Sequence, residues 1–424
     1  MKRRAFLASS AATAATLIGG FSPVQAGPTA DIGLSFRGGG DFPATVQAII
    51  DAFNAQQPGI RIETQAPAQN WDEQFQRTVL DLQAGRAPEL AVQSYNRVRL
   101  VAERKAARPL GSLIAAEKDW ASLGYTDALM SMAEHQGQQW GLPLAISNPV
   151  IFYNEDLLAR AGVKTADLNQ SWDNVVAAAE KVTALGDGNM GSFFDYTADG
   201  NWMFQALLFS LGGRMMSDGE KKIAFDEPLG REALRIVQGF GEAGQIDMTR
   251  KQADQMFISG RVGMFFTSSR RLGNYQRTIG ERFRLGAVPL PAPSPESRVP
   301  VGGGFLSLTT ADPEVQRAAW AFMTFATGPA GQAIVVERTG AVPGNALAVD
   351  RLTDFYARNP QAKAGLDQLP RMTGWFTFPG PNAIKITEVI FEHLRSVITL
   401  RRASDQVLAD MRRDVGALLP ARSG

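Results

Sequence analysis

The sequence has 424 residues, with 43 basic and 42 acidic residues, two histidines and no cysteine. A chain so close to electrical neutrality is not expected to have nucleic acid or a membrane surface as its main partner. The lack of cysteine excludes disulfides, thiolate metal sites and cysteine nucleophiles, and two histidines are too few for a histidine-rich metal site.

The first 26 residues have the layout of a secretory signal. Lys2, Arg3 and Arg4 precede a short, alanine-rich apolar run, and small residues flank the expected cleavage site after Ala26. The adjacent arginines are typical of a twin-arginine signal. The apolar run is too short and too rich in Ser and Thr to span about 30 Å of hydrocarbon. We therefore expect export to the periplasm.

After the signal, predicted strands and helices alternate. Strands are predicted at 31–36, 60–66 and 87–94, and helices at 44–59 and 71–85. This βαβαβ order predicts a parallel sheet covered by helices, and such sheets bind ligands beyond the carboxyl ends of their strands. About 400 residues are too many for one core, so two lobes are expected.

The middle of the chain is predicted to cross between lobes and then to become mostly helical. A proline-marked crossing leads into a strand at 150–153, and a helix follows from near Asn154. Helices are expected to dominate from 171 to about 250, with Ser171 as an N-cap candidate. A strand and loop at 257–275 come next, and the C-terminal segment has a mostly helical pattern. Two tryptophans at helix-packing positions are assigned to the core, namely Trp172 and Trp320.

Two runs of three glycines, at 38–40 and 302–304, raise the possibility of a phosphate-binding loop. A dinucleotide fingerprint requires G-x-G-x-x-G at the start of a helix, and neither run has that spacing or a Walker lysine. The second run leads into a strand instead. Its glycines are expected to let a hinge flex and the backbone approach a ligand, or else to form a tight strand entry without ligand contact.

Several ordered segments carry a resemblance to a known family. They are FNAQQPGIRIE, DLQAGRAPELAV, GLPLAISNPVIFYNEDLLARAGV, SWDNVVAAAEKV, FISGRVGMFFT, FMTFATGPAGQAI and ERTGAVPGNA. In this order and spacing they resemble family 1 extracellular solute-binding proteins of ABC importers, which are maltose-binding-like proteins. The segment RLTDFYARNPQAKAGLDQ is most similar to the branch that binds glycerol-3-phosphate and glycerophosphodiesters.

The resemblance implies a type II periplasmic-binding-protein fold, with two α/β lobes, each a mainly parallel sheet flanked by helices, and a ligand cleft between them. The chain would cross between lobes near 142–147, near 300–305 and past Pro343. Ligand would close the lobes by hinge motion, and the closed form would dock on a membrane permease. The implied division is 27–142 plus 305–345 for the N-terminal lobe and 146–300 plus 346–424 for the C-terminal lobe.

The resemblance further implies a monomeric binding component, not an enzyme, with no cofactor or metal. The expected solute is a carbohydrate or polyol, and an anionic compound such as a glycerol-phosphate-like molecule or a sugar acid stays open. Phe378 and Pro379 stand where the glycerol-phosphate branch has an arginine, which weakens the case for a phosphate ester. The alternative is a secreted glycosidase-type hydrolase, which needs two carboxylates about 5–10 Å apart, for example Asp41 and Asp199.

Candidate ligand contacts combine aromatic rings with polar groups, because a sugar presents both C–H faces and hydroxyls. Most follow predicted strands or lie at the crossings. Asp41 could instead cap the next helix, Trp202 could belong to the core, and the residues after the strand at 257–275 could form a surface turn. The candidates are Arg37, Asp41, Tyr95, Asn96, Ser147, Asn148, Asp199, Trp202, Ser269, Arg270, Gly303, Gly304 and Trp375.

Overall fold

The computed structural model describes residues 32–38 and 43–420, so the expected signal lies outside the described residues. The strands form a five-stranded sheet, a four-stranded sheet and two small two-stranded sheets, and helices surround the two larger ones, which is the expected α/β class. The strands are β1 (Ile32–Arg37), β2 (Ile60–Thr64), β3 (Leu90–Ser94), β4 (Glu134–His135), β5 (Gln138–Gln139), β6 (Leu142–Ser147), β7 (Pro149–Asn154), β8 (Met190–Phe194), β9 (Val262–Ser268), β10 (Leu285–Pro289), β11 (Val299–Pro300), β12 (Gly302–Leu308) and β13 (Met372–Thr373).

Helices cover both sheets. In chain order they are α1 (Pro43–Gln56), α2 (Trp71–Gln83), α3 (Val98–Glu103), α4 (Gly111–Ala116), α5 (Asp127–Met130), α6 (Glu155–Arg160), α7 (Trp172–Thr183), α8 (Trp202–Ser210), α9 (Pro228–Glu242), α10 (Arg250–Ile258), α11 (Leu272–Ile279), α12 (Pro313–Thr327), α13 (Pro329–Thr339), α14 (Ala348–Arg351), α15 (Thr353–Arg358), α16 (Lys363–Leu366), α17 (Ala383–Ile398) and α18 (Ser404–Leu418). None of the helices in the described ranges combines the length and the apolarity needed to cross a membrane.

The first sheet has five strands in the order β2-β1-β3-β12-β6. β1 runs parallel to β2 and to β3, as the βαβαβ pattern predicts. Helices α1 and α12 bury their apolar faces against this sheet, where the Phe322 ring meets Phe36 and Phe53 edge-on at centroid distances of 6.0 and 5.2 Å. Edge-to-face pairs of this kind add to the stability that the buried area already provides.

The second sheet has the order β10-β7-β9-β8. β7 is antiparallel to both β9 and β10, and only the β8–β9 pair is parallel. In the first sheet, β12 is antiparallel to both of its neighbours. Four of the five strands in the first sheet and three of the four in the second nevertheless run in one direction, with only β12 and β7 reversed, so the expectation of mainly parallel sheets is confirmed. β7 and β12 enter their sheets directly from interlobe crossings, so no crossover helix imposes a parallel direction on them.

Strand β8 interrupts a region that the sequence predicts as helical. All five of its residues are buried, so it lacks the alternation that reveals a half-exposed strand. Gly191 makes the packing possible, because a Cβ atom there would lie 2.0 Å from the carbonyl oxygen of Ala179 on α7. The strand is thus defined by tertiary packing more than by local pattern.

The chain passes from the first sheet to the second between Ser147, which ends β6, and Pro149, which begins β7. It returns at β12, whose first residues pair with the end of β6. Gly303 has a φ of +94°, and a Cβ atom there would lie 2.1 Å from the carbonyl oxygen of Ala145. A side chain is excluded at this position by both the backbone conformation and the close strand.

Other local predictions agree with the structure. Ser171 caps α7, because its hydroxyl accepts a hydrogen bond of 3.1 Å from the backbone N–H of Asn174. Trp172 and Trp320 are buried, as assigned. The C-terminal segment is mainly helical, and α17 and α18 pack on each other and on α9.

Candidate functional site

A cavity of about 190 Å³ lies where the two sheets meet. Its walls come from the start of α2, the end of β6, the loop after β8, the starts of α8 and α10, the end of β9 and the start of β12. Several of these are strand ends and helix starts, where backbone and side-chain polar groups remain available. We call this cavity the cleft.

Three tryptophans form its aromatic walls. Trp71 is the first residue of α2, and Trp202 is the first residue of α8. Trp375 lies just after β13, with its ring centroid 5.8 Å from that of Trp202 at an interplanar angle of 47°. The Trp202 indole N–H donates to the carbonyl oxygen of Val301 at 3.0 Å, which fixes the orientation of its ring. Each of the three tryptophans is mostly buried, and each lines the cavity.

An ion pair between a buried aspartate and a half-buried arginine lies at the floor of the cleft. Asp195 directly follows β8 and is 1% exposed, and its Oδ2 lies 3.3 Å from Nε of Arg250 at the start of α10. Thr197 donates to the other carboxylate oxygen at 2.6 Å, and Arg250 donates to the Thr267 hydroxyl at 3.0 Å. Burial raises the pKa of Asp195, while the nearby Arg250 charge opposes that rise.

A second ion pair continues this arrangement behind the wall. Arg271 lines the cleft and is bonded to the carboxylate of Asp254 on α10. The Tyr275 hydroxyl donates to the same carboxylate at 2.6 Å. Burial raises the pKa of Tyr275 well above its usual value, so the phenol stays protonated and remains a donor.

At the mouth of the cleft, Asp199 stays exposed to solvent. Desolvation by the surrounding walls raises its pKa, and the carboxylate of Asp72 raises it further. Asp72 is itself paired with the buried guanidinium of Arg97. Among the described residues, four arginines and four aspartates line the cleft or lie directly behind its wall. They are Arg97, Arg250, Arg270 and Arg271, and Asp72, Asp195, Asp199 and Asp254.

About half of the candidates from the sequence line this cavity. They come from five separate parts of the chain, so the fold gathers them as the strand-end argument expects. The structure brings together Ser147, Asp199, Trp202, Arg270, Gly303 and Trp375.

Arg37 does not face the cleft, contrary to expectation. Its guanidinium lies 2.6 Å from the Asp81 carboxylate and 2.5 Å from the side-chain oxygen of Gln65, and the residue is 7% exposed. Tyr95 is also buried away from the cavity, with its ring 5.8 Å from that of Phe305, and burial raises its pKa. These two side chains pack against neighbouring side chains and do not line the cleft.

Four further candidates lie behind the cavity wall. The side-chain amide of Asn148 donates to the carbonyl oxygen of Gly365 at 2.8 Å, and its backbone is bonded to Ser269 in both directions. Asn96 accepts a hydrogen bond from Thr377 through its backbone carbonyl. Gly304 packs on the neighbouring strand, where a Cβ atom would lie 2.7 Å from the carbonyl oxygen of Gln93. The last candidate, Asp41, lies outside the described residues.

Sequence reasoning missed three residues that carry much of the chemistry. Trp71 follows β2 through a short loop and an Asn70 cap, so its position beyond a strand end was a usable signal. Asp195 depends on β8, the strand that the pattern did not reveal. Arg250 starts a helix 55 positions later, and nothing in the sequence connects it to Asp195. Within 32–38 and 43–420, no cluster of histidine and acidic side chains has an arrangement that could hold a metal ion.

Comparisons with known proteins agree on one family. A family model described as bacterial extracellular solute-binding protein matches residues 48–364. A binding protein of Brucella abortus (strain 2308) is 24% identical over 375 residues, which cover 87% of this chain and 88% of that protein.

Two solved structures show the same fold at low sequence identity. The chain is similar to UgpB from Mycobacterium tuberculosis in complex with glycerophosphocholine, with a TM-score of 0.78, 20% identity, and coverage of 91% of this chain and 98% of that one. It is also similar to an ABC transporter solute-binding protein from Thermotoga lettingae bound to α-D-tagatose, with a TM-score of 0.76, 20% identity, and coverage of 92% and 100%. Both comparisons support the two-lobed α/β fold.

Proposed function

The chain belongs to the family of bacterial extracellular solute-binding proteins, and we propose that it is the solute-capturing component of an ABC importer for a neutral carbohydrate or polyol. One observation carries the proposal. Three tryptophans and the Asp195–Arg250 ion pair line the same small cleft. Ligands of solved relatives, such as tagatose, belong to the same chemical class.

The aromatic walls suit the apolar faces of a sugar. A sugar ring or an extended polyol presents C–H groups that pack on indole rings, and that contact excludes water from the cleft. Trp71 comes from the first lobe, while Trp202 comes from the second, so a ligand between them contacts both lobes. Such a bridging contact is what favours the closed arrangement over the open one.

The Asp195–Arg250 pair at the floor of the cleft is suited to bind two adjacent hydroxyls of a sugar or polyol. A hydroxyl is both donor and acceptor, so one can donate to the Asp195 carboxylate while its neighbour accepts from the Arg250 guanidinium. Because the two side chains are already paired, the floor is held in place before ligand arrives. Pre-ordering of this kind reduces the entropy lost on binding.

The balance of charge favours a neutral solute over an anion. Arg250, Arg270 and Arg271 line the cleft, but Arg250 is paired with Asp195 and Arg271 with Asp254, and Asp199 lines the cleft as well. A phosphate or carboxylate placed there would meet these carboxylates at short range, and like charges in a closed cleft repel strongly. Arg37, a candidate ligand contact from the sequence, is bonded to Asp81 outside the cleft.

The hydrolase alternative draws no support from the family or from the relatives, which are binding proteins. Of its two candidate carboxylates, only Asp199 is among the described residues. We propose that the protein binds its solute reversibly without chemical conversion.

Family membership implies an exported location. We further propose that the protein is exported by a twin-arginine route and that residues 1–26 are then removed. The mature protein would be a monomer with a permease as its partner. The lobe boundaries predicted from the sequence also remain a proposal. Asn148 would be one flexing point, because it is the only residue between β6 and β7.

A thermal-shift screen of hexoses, hexitols, oligosaccharides and their phosphates tests the proposal. A solute at 100 times its Kd should stabilise the protein by about 2.7 kcal/mol. We expect a neutral sugar or polyol to give the largest shift, and the solute to be recovered unchanged after incubation. Release of a cleavage product would contradict the binding role, and a shift only with phosphorylated compounds would contradict the neutral class.

A further inference from the structure

Trp375 lines two cavities. One is the cleft, and the other is a groove of about 470 Å³ that we call the rear groove. The rear groove is larger than the cleft and is lined by the aromatic rings of Phe209 and Phe376 together with Arg298, Thr373 and Thr377. Trp375 therefore stands between the smaller, partly open cleft and a larger groove that offers similar aromatic and polar groups.

The segment that carries Trp375 is held on both sides. Phe376 exchanges two backbone hydrogen bonds of 3.1 Å with the side-chain amide of Gln205 on α8. Thr377 donates to the backbone carbonyl of Asn96 in the first lobe. The indole also packs on Gly200, where a Cβ atom would lie 3.2 Å from the ring. A side chain fixed by this many neighbours acts as a stable wall.

The rear groove has groups that could receive a second sugar unit. The Arg298 guanidinium donates to the carbonyl oxygens of Pro295 and Ser297 at 2.8 and 3.0 Å. Its remaining N–H groups are donors, and the half-buried Phe376 supplies an apolar surface. The groove thus has the chemistry of a sugar subsite but is separated from the cleft.

We propose that Trp375 sets the length of the solute. This inference rests on the proposed function. With the indole in place, the cleft accepts a single hexose or hexitol and excludes a second glycosyl unit, because about 190 Å³ is below the usual range of roughly 300–1,000 Å³ for larger ligands. A smaller residue at position 375 joins the cleft to the rear groove, so that a disaccharide or trisaccharide can pass from one to the other.

Calorimetric titration of the mature protein tests the proposal with D-glucose, D-mannitol, maltose and maltotriose, together with whichever hexose or hexitol gave the largest thermal shift. In Trp375→Ala, the affinity for the oligosaccharides relative to the single-unit probes should rise by about tenfold or more, or about 1.4 kcal/mol. Trp375→Phe keeps a ring in the wall and should leave the ratio near that of the wild type. Trp375→Leu serves if the alanine variant does not fold.

The double variant Trp375→Ala/Phe376→Ala locates the second unit. If it occupies the rear groove, Phe376→Ala should remove the gain in the double variant and have little effect alone. Equal weakening of all probes by Trp375→Ala would overturn the length inference while leaving the proposed function intact. If the wild-type protein binds maltotriose tightly and Phe376→Ala weakens that binding, the length inference is also overturned. If no sugar or polyol binds the wild type, the proposed function itself fails.

Discussion

Replacing Gly303 by alanine should destabilise the protein strongly and weaken ligand binding. Gly303 has a φ of +94°, a region that costs an L-residue about 1–2 kcal/mol. The new Cβ atom would also lie 2.1 Å from the Ala145 carbonyl oxygen, so β12 and β6 must separate. Relief of that overlap costs about 1–3 kcal/mol more, for a total of about 2–5 kcal/mol. Because Gly303 lines the cleft, the displaced strand also distorts the binding site.

Gly33→Ala is the matched control. Gly33 lies in β1, its φ is not positive, and a Cβ atom added there would have no neighbouring atom within 4 Å, so the change should stay within about 0.5 kcal/mol. Urea unfolding followed by tryptophan fluorescence measures both variants, and ligand titration measures the effect on the cleft. If Gly303→Ala is no less stable than Gly33→Ala, the strand geometry at the crossing is wrong and the steric reasoning with it.

Four further predictions concern charge, capping and export. Asp81→Asn should destabilise the protein by about 2–4 kcal/mol at pH 7, because it leaves the buried Arg37 unpaired, and it should not change ligand affinity. Hydrogen bonds from Arg86 and Arg37 hold the pKa of Asp81 below 3.8, so this loss of stability should shrink as the pH falls through the lowered pKa. Unfolding measurements at several pH values will show the change. Asp195→Asn should lower the affinity for a neutral sugar about tenfold and favour its phosphorylated counterpart in calorimetry, because Arg250 loses its carboxylate; an unchanged preference would remove Asp195 from the site. Ser171→Ala should cost about 1 kcal/mol of unfolding free energy and leave binding intact, and a stability equal to wild type would argue against the cap. Replacing Arg3 and Arg4 by lysine should block export by the twin-arginine route, and periplasmic fractionation showing normal levels would remove that route.

The sequence predicts well those features that depend on local pattern. The βαβαβ start, the Ser171 cap and the buried Trp172 follow from periodicity and capping chemistry, and all three are present. Trp202 and Trp375 could be proposed because each follows a loop that the chain brings to the lobe junction. Local pattern is therefore enough to place elements and some of the walls of the site.

Features that depend on distant packing could not be predicted in this way. β8 is buried on both faces and shows no alternation, so Asp195, which follows it, was invisible as a site residue. Arg37 was placed at the cleft because it ends a strand, but the side chain turns to Asp81 on α2. Which of several polar groups at a strand end faces the ligand is decided by partners far away in the chain.

Calorimetric titration at low and high salt, using whichever screened compound, neutral or phosphorylated, gives the largest thermal shift, tests the central claim most directly. Raising the ionic strength from about 0.1 M to about 1 M shortens the Debye length from ~10 Å to ~3 Å and screens attraction to an anion, but it has little effect on a neutral ligand. We predict one solute bound per chain, with a Kd that changes less than about twofold across this range and no product formed. Binding only to a charged compound, with an affinity that falls steeply with salt, would contradict the account.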